Sequence, residues 1–172
     1  MIIYVDGACS GNGSTNAVGG FGVIVLDDNE NLITCHKERA DKTTNNRMEL
    51  SAILWAMIQY GNEQPVPIVY SDSAYAVNTL TVWMWGWERK GWLKSDNTEP
   101  ENLDLIQAFH KLWNMGYRID LRKCKGHNGV YWNEMADKLA VAAKENLQEV
   151  TMKVMEYNKP NKNNSIIMKG RG

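Results

Sequence analysis

Four acids stand where they could do chemistry together: Asp6, Glu49, Asp72 and Asp137. Asp6 closes the apolar, β-branched run Ile2–Val5, and Asp72 closes Ile68-Val69-Tyr70-Ser71. If those two strands are parallel neighbours, both carboxylates emerge at one sheet edge, where α/β folds place their sites. Glu49 falls in the first turns of a helix and Asp137 near the start of the last one. Converging carboxylates repel, and leaving them unpaired costs on the order of several kcal/mol. Divalent cations remove that repulsion. Oxygen ligands in an incomplete cage suit Mg²⁺, which keeps waters and accepts a substrate phosphate. Two such ions about 4 Å apart activate a water and stabilise the leaving oxygen of a phosphodiester. A single acid at a strand end is more often a turn or cap residue, so the flanking sequence has to carry the assignment.

The elements that must hold these acids can be read in order. Residues 2–5 form a first strand, and the Gly-, Ser- and Asn-rich stretch 8–19 a loop. Gly20–Leu26 and Asn31–Arg39 are strands joined by the turn Asp27–Glu30, which makes a meander. Apolar spacing predicts a helix from about Asn46 to Tyr60, stopped by Gly61. Ile68–Tyr70 is a buried strand and Ser73–Leu80 a short helix. After a Trp-rich stretch and the polar loop Ser95–Asn102, a helix covers Leu103–Met115 and Arg118–Cys124 alternates as a strand. Asn133 to about Gln148 is a final amphipathic helix. This order implies an α/β fold, a mixed sheet flanked by helices.

Composition sets outer bounds. The chain has 172 residues, 44% hydrophobic and 23% charged, as expected of one globular domain. It lacks an apolar run long enough for a membrane span, and the N-terminus lacks a basic region before its short apolar run. Cys9, Cys35 and Cys124 form no CxxC pair, which fits a reducing compartment. A cytoplasmic, monomeric protein without membrane attachment is therefore expected. With 19 basic and 20 acidic residues the net charge is −1. That sum decides nothing about nucleic acid, because acids gathered in a metal site would mask a basic face. The boundary between domain and tail is expected at 148/149, since the last residues (149–172) turn polar and low in complexity, and a flexible tail is expected there. Ile166-Ile167-Met168 within it could anchor a protein partner.

The sequence around the acids resembles the type 1 ribonuclease H family. The first matching block is Tyr4-Val5-Asp6-Gly7-Ala8-Cys9 with Gly11-Asn12 and Gly19-Gly20-Phe21-Gly22. The second is Thr43-Thr44-Asn45-Asn46-Arg47-Met48-Glu49-Leu50, and the third Tyr70-Ser71-Asp72-Ser73 with Tyr75. The fourth is Lys125-Gly126-His127 followed by Asn133-Glu134, Ala136-Asp137 and Leu139-Ala140. The resemblance implies a ribonuclease H-like fold, a five-stranded mixed sheet with helices on both faces. It implies a free-standing endonuclease that hydrolyses the RNA strand of an RNA–DNA hybrid with two Mg²⁺ ions (Mn²⁺ a possible substitute), leaving 5′-phosphate and 3′-hydroxyl ends. Asp6 would then bridge both ions, Glu49 and Asp72 would hold the leaving-group side, and Asp137 the side of the attacking water. His127 would move protons or assist product release, as a neutral imidazole can near pH 7.

Substrate contacts follow from the same blocks. RNA differs from DNA by its 2′-hydroxyl, which neutral amides can read without adding charge to an acidic site. Asn45 and Asn46 fit that task, with Cys9 and Asn12 beside them, although the same pair could simply cap the helix. The resemblance places Thr44 on a phosphate of the DNA strand, leaves Arg47 a structural role as an alternative, and gives Asn133 a part in fixing the loop and meeting nucleic acid. Trp83, Trp85, Trp87 and Trp92, with Arg89, Lys90 and Lys94, match the family's basic protrusion; cations neutralise phosphate and aromatic faces take sugars or bases. Ala74 stands where the family has glutamine, the Gly13–Val18 loop departs from the usual pattern, and Glu88 dilutes the protrusion's charge. A related resolvase or exonuclease, a non-catalytic hybrid-binding module and a detached polymerase domain are the competing readings. The Thr43–Leu50 block opposes the first, and four intact acids oppose the second. The early first strand and ordinary length weigh against the third.

Overall fold

A computed structural model describes residues 1–124 and 130–157. Five strands form one mixed sheet: β1 (Ile2–Ser10), β2 (Val18–Leu26), β3 (Leu32–Asp41), β4 (Ile68–Ser71) and β5 (Asp120–Lys123), in the order β3-β2-β1-β4-β5. The meander β1-β2-β3 is antiparallel, whereas β4 pairs parallel to β1 and β5 parallel to β4. The mixed sheet expected from the element order is present, with helices on both faces.

Strand alternation splits the core in two. Ile3, Val5, Val23 and Val25 point to the face covered by α1 (Asn45–Tyr60) and α4 (Leu103–Asn114), meeting Leu50, Ile53, Met57, Ile106 and Phe109. Tyr4, Ile24 and Leu26 point to the other face, against Trp132, Ala136 and Leu139 of α5 (Tyr131–Glu145). Helix α5 can press onto β2 because Gly22 leaves room: a Cβ there would sit 2.4 Å from the Ala136 carbonyl oxygen and 2.6 Å from Leu139 Cβ.

Several boundaries differ from the sequence-based expectations. β1 continues past Asp6 to Ser10, because β2 supplies hydrogen-bonding partners as far as Val18. The N-cap of α1 is Thr44, whose hydroxyl accepts from the Arg47 amide, so Asn45 and Asn46 are the first residues inside the helix and not its cap. The short helix expected at 73–80 is instead the start of a continuous helical run. It comprises α2 (Ala74–Asn78), capped by Ser73, a π-helical turn (Thr79–Trp83) and α3 (Met84–Arg89), so the Trp-rich stretch is helical. The ordered domain also extends past the expected limit at residue 148. Helix α6 (Glu149–Met155) packs on α5 and β3, and its Val154 is buried in the second core. Burial of Val154 in the cluster with Tyr4, Ile24 and Leu26 outweighs the polar composition expected there, so residues 149–155 are helical where the sequence suggests a polar tail. Ile166–Met168 lie outside the described residues. Among the described residues, no helix is long and apolar enough to cross a membrane.

Candidate metal centre and nucleic-acid interface

The β1–β4 ladder ends at Val5↔Ser71, while β1 runs on beside β2. Asp6 and Asp72 therefore follow the last parallel pair, one inside its strand and one just past it. Asp6 alternates onto the face shared with Tyr4, which α5 covers. Glu49 reaches the same gap from α1 on the opposite face. Gly7 allows that approach: a Cβ there would lie 2.6 Å from the Glu49 amide nitrogen and 2.8 Å from the Met48 carbonyl carbon. These are backbone atoms, so no side-chain rotation relieves the clash. One carboxylate oxygen from each of Asp6, Glu49 and Asp72 lies within 4.8 Å of the others.

Asp6 and Glu49 are buried, and Asp72 is half-buried. Burial, then the charge of Glu49, a hydrogen bond shared with it, and the charges of Asp72 and Asp137 push the Asp6 carboxyl far above the carboxylate range. Burial likewise raises Glu49, and Asp72 and Asp137 add to the effect; hydrogen bonds from Asp6 and the Gly7 amide pull it partly back. Glu49 Oε2 is buried and has no hydrogen-bond partner among the described residues. A buried, unpaired carboxylate oxygen beside two more acids is what a divalent cation would satisfy. The residues present thus fit a metal ion. Asp137, half-buried on the second turn of α5, stands outside the trio but close enough to influence both buried acids.

The other expected contacts divide into groups. Cys9, Asn12, Thr44, Asn45 and Asn46 come together around the start of α1. The Asn12 side-chain oxygen accepts from the Asn45 amide at 2.8 Å, and the Cys9 thiol donates to the Thr43 carbonyl at 3.6 Å. This binds the loop after β1 to the helix that carries Glu49. Asn133, by contrast, is only 2% exposed, and its side-chain oxygen accepts from the Cys124 thiol at 3.5 Å. The expected contact of Asn133 with nucleic acid is therefore corrected: its amide ties the end of β5 to α5 and does not face solvent. His127 lies outside the described residues.

On and around α3 the tryptophans part ways. Trp85 and Trp92 pack inward on His110, with ring centroids at 5.4 and 5.0 Å. Trp83 and Trp87 sit 6.2 Å apart and, with Val82, Gly86, Lys90, Lys94 and Ser95, line an open groove of about 560 Å³. Trp83 is 44% exposed, too much for a core residue of its size. Arg89 and Lys90 are exposed beside it.

One brace escaped the sequence reading. Arg47 makes a two-pronged pair with Asp104, at 3.0 and 2.7 Å. Asn102 adopts a left-handed backbone (φ 61°), accepts from Arg47 at 3.4 Å and donates its side-chain amide to the Tyr75 hydroxyl at 2.9 Å. The first turn of α1 is thereby locked to α4 and α2. An asparagine just before a helix is a weak signal by itself, and nothing local names its partners.

Residues 1–145 match the RNase H family profile. A ribonuclease H from Dichelobacter nodosus is 38% identical over 150 residues, covering 87% of this chain and 95% of that protein. The crystal structure of LC9-RNase H1, described as a type 1 RNase H with the type 2 active-site motif, is 30% identical. It aligns with a TM-score of 0.71 over 86% of this chain and 72% of that one. LC11-RNase H1, solved in complex with RNA/DNA hybrid, shares the fold at 21% identity. Its TM-score is 0.62, covering 84% of this chain and 96% of that one.

Proposed function

The chain belongs to the type 1 ribonuclease H family, and on that premise we propose that it hydrolyses the RNA strand of RNA–DNA hybrids, using divalent metal ions held by Asp6, Glu49, Asp72 and Asp137. The observation that carries this reading is the trio of converging carboxylates, one of which, Glu49, has a buried oxygen without a hydrogen-bond partner among the described residues. Two Mg²⁺ ions, or Mn²⁺ in their place, would supply an activated water and charge for the leaving oxygen when bound. Asp6, the acid most affected by all its neighbours, would contact both ions. Glu49 and Asp72 would hold the leaving-group side and Asp137 the water side, giving 5′-phosphate and 3′-hydroxyl products. His127, by its place in the Lys-Gly-His motif, would move protons or help release product.

The chain's own surfaces support the choice of substrate. The neutral side chains of Asn45 and Asn46 stand in the first turn of the helix that carries Glu49, where a 2′-hydroxyl could be read without adding charge. Cys9, Asn12 and Thr44 complete that surface. The Trp83–Trp87 groove, with Arg89, Lys90 and Lys94, suits the DNA strand: its rings take sugars or bases and its cations take phosphates. The LC11-RNase H1 complex with hybrid lends the same direction. The enzyme would act as a monomer, with residues 1–157 as its catalytic unit. Cleavage assays on hybrid, double-stranded RNA and double-stranded DNA, with and without Mg²⁺, test the reading. Mg²⁺-dependent cutting of the hybrid alone is expected, and equal cutting of double-stranded RNA or DNA would contradict it.

A further inference from the structure

The family match ends at residue 145, yet the ordered chain does not. Beyond it, α6 turns back along α5. Val154 is 1% exposed in the second core, and Tyr157 closes on the first two residues of α5. Its ring stands 4.8 Å from Trp132 at an interplanar angle of 74° and 5.1 Å from Tyr131 at 33°. Tyr131 and Trp132 are themselves 4.8 Å apart, edge to face, so three rings form a closed cluster.

The cluster sits where α5 most needs support. The residue before α5 is Val130, which offers no side-chain cap to the first free amides of the helix. The next turn of the helix carries Asp137. Trp132 is 6% exposed and packs with Tyr4, two residues before Asp6. The neighbouring Asn133 is bound to Cys124 at the end of β5. The ring cluster therefore holds the one turn of α5 that lies between the sheet edge and Asp137.

We infer that Tyr157 is a positioning residue: through Tyr131 and Trp132, the segment 146–157 fixes the start of α5 and so the place of Asp137 in the metal centre. The inference rests on the reading of Asp137 as a metal ligand. Supporting residues of metal ligands alter metal affinity more than substrate binding. Tyr157 is 43% exposed at the end of the described chain, so its ring can be removed without opening the main core.

The experiment measures the Mg²⁺ dependence of hybrid cleavage in Tyr157→Ala, Tyr157→Phe and Asp137→Asn. For Tyr157→Ala, the Mg²⁺ concentration at half-maximal rate rises about tenfold while KM for hybrid stays within about twofold. Tyr157→Phe, which keeps the ring, restores the wild-type response. Amides of residues 131–134 exchange faster in Tyr157→Ala, and those of α1 do not. An unchanged Mg²⁺ response in Tyr157→Ala, with Asp137→Asn inactive, would overturn the positioning role alone. Full activity in Asp137→Asn would overturn the ligand assignment beneath it.

Discussion

The carboxylate centre and the Trp83–Trp87 groove are built on opposite terms. Acids from three separate elements crowd into a buried gap, held by backbone contacts that leave no slack at Gly7. The groove rises from one helical run and the loop that follows it, stays open, and keeps Lys90 and one large ring in water. The first is rigid and electrostatically costly until an ion arrives. Under the proposed function, chemistry that needs fixed atoms would rest on the long-range architecture and grip on the substrate on a more local one.

The contrast can be broken most severely at Gly7. In Gly7→Ala the new methyl meets the backbone of Met48 and Glu49, so β1 and α1 must separate. Stability is expected to fall by about 2–3 kcal/mol, and turnover by about 100-fold through displacement of Glu49. Denaturant melts and single-turnover cleavage check both. Trp83→Ala should do the reverse. Stability stays within about 0.5 kcal/mol of wild type, while hybrid affinity weakens by about 1–3 kcal/mol. Titration binding at fixed salt reads that difference.

A smaller effect separates the two regions by pH. Asp6 binds its proton more tightly in the folded chain than in the unfolded one. The folded state therefore holds the extra proton, and stability is lost as pH rises from the unfolded carboxylate value, about 4, toward the raised folded one. Metal-free protein should be less stable at pH 8 than at pH 5. Asp6→Asn should flatten that slope by about 1–2 kcal/mol, and Mg²⁺ should flatten it in the wild type. Lys90→Ala, in the groove, should leave the slope untouched. Urea melts at the two pH values, with and without Mg²⁺, decide the matter.

Much of this was legible beforehand, for reasons that differ by element. The acids announced themselves through the residues around them, and the mixed sheet through alternation and turn chemistry. What stayed hidden depended on partners distant in sequence. Asp6 looked like a strand end because the apolar run stops there, but β1 is prolonged by its pairing with β2. The helix through Thr79–Trp83 was obscured because apolar residues surround it on all sides and a π-turn shifts its period. The motif gives Asn133 a part in fixing the loop and meeting nucleic acid, and its burial against Cys124 depends on a partner nine residues away. Helix α6 has seven residues, too few for a periodic signal, and is held by Val154 and the ring of Tyr157.

We propose that the buried acids perform the cleavage while other surfaces grip the substrate. Asp6→Asn tests it most directly, with hybrid binding and Mg²⁺-dependent cleavage measured on the same preparation. Binding should stay within about threefold of wild type while cleavage falls by at least about 1,000-fold, roughly 4 kcal/mol of barrier. Cleavage within about tenfold of wild type, roughly 1.4 kcal/mol, would remove Asp6 from the chemistry and contradict the account.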